Sequence, residues 1–116
     1  MKKIEIKSNE KYTQIQKQFI TELKSYITSD VNLLITNGNL AALLQDFSDY
    51  KLGENEIKDE MKSENGKPKM YKLGKLDELQ IMVDPYMRWD DNKIILKNDD
   101  LVIEEIEIID EENILI

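Results

Sequence analysis

Apolar and polar positions along this chain follow two rhythms, and each change of rhythm marks an element. Lys2–Lys7 alternates, with Lys3, Glu5 and Lys7 on one face and Ile4 and Ile6 on the other, which predicts a short half-buried strand. Ser8 or Asn9 then offers an N-cap oxygen, and Glu10 suits the first turn of a helix. Tyr12, Ile15, Phe19, Leu23 and Tyr26, flanked by Ile20 and Ile27, recur every three or four residues. That spacing predicts an amphipathic helix ending near Ser29, its apolar stripe laid on a sheet. Val31–Thr36 is a compact apolar run with the look of a buried strand. Asn37-Gly38-Asn39 turns the chain, and Leu40 to about Phe47 reads as a short helix capped by Asn39. Asn-Gly also marks hairpin turns, but the residues that follow favour a helix.

From Ser48 to Lys69 both rhythms stop. Lys, Glu, Asp and Asn dominate, punctuated by Gly53, Gly66 and Pro68, so the stretch reads as an exposed, mobile connection with one short helical turn in Glu56–Met61. Extended structure resumes at Met70–Leu76. Leu79, Ile81 and Val83 share one face of the next strand, and Asp84-Pro85 stops it, since proline cannot donate to a ladder. Tyr86–Trp89 crosses over, and Asp90-Asp91-Asn92 turns into a strand at Lys93–Lys97 whose Ile94, Ile95 and Leu96 are apolar on both faces. Asn98-Asp99-Asp100 turns again. Leu101–Ile109 is a last strand, with a bulge expected between Glu104 and Glu105, and residues 110–116 are expected to fray or to add an edge to a neighbour. The fold class expected is α+β: a mixed, mostly antiparallel sheet of about five or six strands with one long and one short helix packed on it. At 116 residues this is one domain, 1–116, with a mobile polar loop at 48–69 and an acidic terminal strand and tail at 99–116.

Charge sharpens that picture. The chain has 16 basic and 24 acidic residues, and eight of the acidic ones lie after Lys97, where no Lys or Arg follows. Residues 1–98 are therefore neutral overall, and the whole excess of −8 belongs to the tail strand. A nucleic-acid binder would show a basic stripe instead, so no direct nucleic-acid contact is expected. Met1-Lys2-Lys3 opens on charge, but Glu5 and Lys7 interrupt any apolar run, and no stretch nears the ~20 apolar residues of a membrane span. No signal peptide and no membrane partner are expected.

The residue types present exclude much chemistry. With no cysteine and no histidine, thiolate and imidazole metal sites, Ser-His-Asp triads and Cys-His pairs are impossible. Carboxylates, Lys and Tyr remain. Asp90-Asp91-Asn92 and Asn98-Asp99-Asp100 lack the ligand spacing, central glycine and final Glu of a calcium loop, so turn chemistry explains them. Glu104, Glu105 and Glu107 read as a solvated acidic face, because neighbouring strand residues point to opposite sides. The four glycines form no phosphate-cradling loop. No catalytic residue, metal or cofactor is expected, and the protein is not read as an enzyme. Tyr86, Met87, Arg88 and Trp89 are the one cluster of the types enriched at interface centres, and they are the candidate contact residues, weighed against simply covering the end of the core.

Gly74-Lys75-Leu76-Asp77-Glu78-Leu79-Gln80-Ile81-Met82-Val83-Asp84-Pro85-Tyr86, taken as a string, resembles the late part of tailed-bacteriophage major capsid proteins, the Hong Kong phage fold. There a Gly-x-Leu start precedes a strand ending in Val-Asp-Pro-Tyr or close variants. Asn32–Asn37 followed by Leu40–Leu44 is similar to the strand and helix that come before it in that family, and Tyr12–Ile27 stands where a preceding helix belongs. Order and spacing agree over roughly Asn32–Lys97. The resemblance implies the axial domain alone, without the family's N-terminal arm, extended loop and spine helix. It implies a non-enzymatic phage structural or virion-associated protein whose partners are copies of itself or capsid neighbours, in the virion or the host cytoplasm. The residues alone leave a second class open: a small acidic phage or mobile-element inhibitor that docks on a basic host nucleic-acid enzyme.

Overall fold

The computed structural model describes residues 2–7, 11–47, 50, 51, 53, 56, 58 and 66–115. Its elements are β1 (Lys2–Glu5), α1 (Tyr12–Ser25), β2 (Leu33–Thr36), α2 (Gly38–Gln45), β3 (Tyr50–Lys51), β4 (Tyr71–Leu76), β5 (Leu79–Val83), β6 (Lys93–Asn98) and β7 (Leu101–Ile109). Among the described residues the strands form one sheet in the order β1-β7-β6-β2-β5-β4-β3. The β1–β7 and β2–β5 pairs are parallel; the others are antiparallel. This is the expected α+β architecture, with the two-residue β3 added beyond the strands read from sequence.

Register explains which residues are apolar. Ile4 faces Ile108, Ile94 faces Ile106, and Leu34 lies between Leu96 and Ile81. These residues share one sheet face and are completely or almost completely buried. Ile15, Phe19, Ile20 and Leu23 of α1, with Leu40, Ala41, Leu43 and Leu44 of α2, close over the same face. Burying an aliphatic or aromatic side chain contributes about 1.5–3 kcal/mol, so this single layer carries the stability. Ile95 is apolar for a separate reason. It lies in a row on the opposite face, Lys72–Met82–Ile35–Ile95–Glu105, that crosses five strands. No described helix is long and apolar enough to cross a membrane.

Several expectations need correction. The N-cap position of α1 is Lys11, which makes no side-chain cap bond, and the expected caps Ser8 and Asn9 lie outside the described residues, as does Glu10. The helix ends at Ser25 because the Tyr26 N–H turns back to the Leu23 carbonyl at 3.0 Å, tightening the last turn. Tyr12, assigned to its apolar stripe, is 48% exposed. The cap of α2 is Asn37, and Gly38 is already helical. The β7 bulge falls one residue early: Leu96 opposes Glu104 and Lys97 opposes Val102, leaving Ile103 as the extra residue. A second irregularity lies in β4 between Lys72 and Gly74. The expected connection at 48–69 contains β3, and most of it lies outside the described residues; of Glu56–Met61 only Glu56 and Lys58 are described, both helical as expected.

The tail neither frays nor reaches outward among the described residues. Asp110, 8% exposed, accepts hydrogen bonds from the Ile114 and Leu115 N–H groups, both at 2.8 Å. That hook returns Leu115 into the core.

Tyr71 on β4 packs against the same core, and burial pushes its phenol pKa above the ordinary value. A pKa raised in the folded state leaves stability intact below about pH 10 and removes it as pH climbs through the folded value. Tyr71→Phe should therefore flatten the alkaline fall of the urea midpoint measured from about pH 8 to about pH 11. A variant whose midpoint falls as steeply as the parent's would show that burial of Tyr71 does not drive the alkaline loss.

Candidate functional site

The connection from β5 to β6 is built by its own side chains. At the end of β5 the Asp84 N–H reaches the Thr36 carbonyl at 3.0 Å, and Pro85 ends the ladder. The Asp84 carboxylate accepts the Tyr86 N–H at 2.9 Å, and the Asp84 carbonyl accepts the Met87 N–H at 3.1 Å. A second turn follows, Asp91 N–H to Arg88 carbonyl at 3.0 Å. Asp side chains favour such turns because they hydrogen-bond backbone two residues on.

One buried residue locks this loop to the rest of the fold. Asn37 is 0% exposed. Its Oδ1 accepts the Leu40 N–H at 2.9 Å, which caps α2. Its Nδ2 donates to the carbonyls of Asp91 at 2.8 Å, Arg88 at 3.2 Å and Trp89 at 3.3 Å. Asn39 adds a bond from its own Nδ2 to the Trp89 carbonyl at 3.0 Å. Thr36 Oγ1 donates to the Lys93 carbonyl at 2.7 Å. The N-terminal end of α2 and residues 88–91 are therefore one hydrogen-bonded unit. Sequence reasoning missed this use of Asn37 and assigned Asn39 the cap instead. The buried asparagine after a strand was the available signal, but its partners lie about fifty positions away.

The four candidate contact residues sit on this clamped loop. Tyr86 is 68% and Trp89 71% exposed, Met87 is half-buried, and Arg88 is exposed. Neither aromatic ring covers the core, so that alternative fails for both. Arg88 instead folds onto Asp90 through Nε–Oδ1 and Nη2–Oδ2 contacts, each 3.1 Å. At this exposure the pair adds little stability, and its effect is to hold the two side chains beside Trp89.

Trp89 also edges a groove of about 770 Å³ between α2 and the tail hook. Leu43 and Leu115 form its apolar floor, and Ala42, Asp46 and Asn92 line its sides. Asn92 Oδ1 is buried and accepts no hydrogen bond among the described residues. The turn at Asp99 is structural: its φ is 51°, and Asn32 both donates to its carboxylate and accepts its N–H, each at 3.0 Å. Among the described residues no group of three or more carboxylates converges as a metal site. Comparison with protein-family models, curated proteins and solved structures finds no match to this chain.

Proposed function

We propose that this chain is a non-enzymatic phage structural or virion-associated protein, similar to a capsid axial domain, that works through protein–protein contacts in the virion or the host cytoplasm. The observation that carries this reading is an exposed Tyr86 and Trp89 on a loop clamped by Asn37 and Asn39. Aromatic anchors of this kind dominate binding energy when buried by a partner. A loop fixed beforehand loses less conformational entropy on docking. The capsid resemblance rests on a strand, a helix and a proline-stopped strand in that order, here Leu33–Thr36, Gly38–Gln45 and Leu79–Val83. Its partners are copies of itself or capsid neighbours, with no nucleic acid and no membrane.

Sedimentation of the purified chain across concentration, alone and with phage particles, tests this. Self-association or co-sedimentation is expected, weakened about tenfold or more by Trp89→Ala. The exposed position predicts an unchanged unfolding midpoint for that variant. A strictly monomeric chain that stays in the supernatant would sink the reading. The lack of any basic residue after Lys97 favours a second one, an acidic inhibitor docking on a basic host enzyme. Monomers that bind such an enzyme more weakly as salt rises would select it.

A further inference from the structure

The groove beside Trp89 has a chemistry of its own. Asp46 occupies the C-cap of α2, and the last turn of that helix carries no basic residue. A helix C-terminus holds partial negative charge from its unpaired carbonyls, and a carboxylate there deepens it. Asp90 also lines the groove, its carboxylate already paired with Arg88, and no Lys or Arg is among the described lining residues. On the opposite rim stands Trp89, whose exposed indole face attracts cations as well as apolar groups. Asn92 also lines the groove. Negative potential at the end of α2 and an open aromatic face favour donor-rich cations above an apolar floor.

We propose that this groove receives an extended basic segment of a partner protein. One arginine or lysine of that segment stacks on Trp89, and a second takes its counter-charge from Asp46 and the C-terminal end of α2. Their smaller neighbours rest on Leu43 and Leu115. The proposal rests on the protein-contact reading above and names the partner chemistry at the same surface.

The chain contains one tryptophan, so its emission reports directly on the groove. The full-length protein is titrated at low ionic strength with a short peptide alternating arginine and alanine, and with the same peptide carrying glutamate for arginine. A saturable emission change is expected with the basic peptide and none with the acidic one. Asp46→Asn should weaken binding about two- to fivefold, the range of a single exposed charge pair. Ala42→Arg, at an exposed helix position, should fill the groove with its own cation and abolish the change while leaving the unfolding midpoint in place. Equal binding by Ala42→Arg would mean that the net charge, not the groove, attracts the peptide, and would overturn the proposal. A chain that self-associates yet ignores the peptide would overturn it too, while leaving the contact reading standing.

Discussion

Replacing Asn37 with alanine should cost about 2–4 kcal/mol. Loss of the cap alone accounts for roughly 1 kcal/mol. The remainder comes from the Arg88, Trp89 and Asp91 carbonyls, which share the two Nδ2 hydrogens, at about 1 kcal/mol for each part-buried bond not replaced. Against a total of about 5–15 kcal/mol for a domain, that is a large fraction. Two further variants separate the roles. Asn37→Ser keeps an oxygen for Leu40 and should recover the cap part only. Asn37→Asp also keeps the acceptor, but sets a buried carboxylate against three carbonyls, so it should be at least as damaging as alanine. Urea unfolding gives the free energies, and amide exchange across 84–92 should speed up in all three variants. An alanine variant costing no more than an ordinary cap would mean that the loop holds itself.

Phe19→Ala should have the larger effect, about 3–5 kcal/mol. Phe19 is 1% exposed and sits in the layer where α1 meets the sheet, so truncation removes transfer energy and leaves a cavity that the flanking Ile15 and Leu23 cannot fill. Phe19→Leu should recover part of the loss, since it keeps a branched apolar side chain and leaves a smaller cavity than alanine does. Tyr12→Ala is the informative control. Periodicity places Tyr12 on the same stripe, but at 48% exposure its removal should stay within about 0.5 kcal/mol. Calorimetry or urea titration of the three variants checks the order, and a costly Tyr12→Ala would mean that the first turn of α1 is better covered than its exposure indicates.

Tyr12 and Phe19 also mark how far the pattern could be read. Spacing identifies a helix and its buried side, but the end of a stripe projects past the sheet, and only the sheet's width decides where. The alternation of Leu79, Ile81 and Val83 was legible because one face is covered and the other is not, and both bounds of β7 follow from its neighbouring turns. Its bulge was less legible. Irregular alternation announces an extra residue, but which residue is extra depends on the partner strand, and Leu96 and Lys97 make it Ile103. The candidate contact residues were picked out by type and by the proline before them. Their exposure was not legible, because it depends on a clamp from Asn37 across about fifty positions. The groove was hidden for the same reason: α2, residues 89–92 and the tail meet only in the folded chain.

The parallel pair of β1 and β7 has a kinetic consequence. Lys2–Glu5 align with Ile106–Ile109, about a hundred positions later, and no hairpin can bring them together. A nascent polypeptide emerging from a ribosome therefore carries its first strand unpaired, with Ile4 exposed, until the last has been made. High contact order of this kind slows folding, and it makes that opening segment the point at which a crowded cell can capture the unfinished molecule.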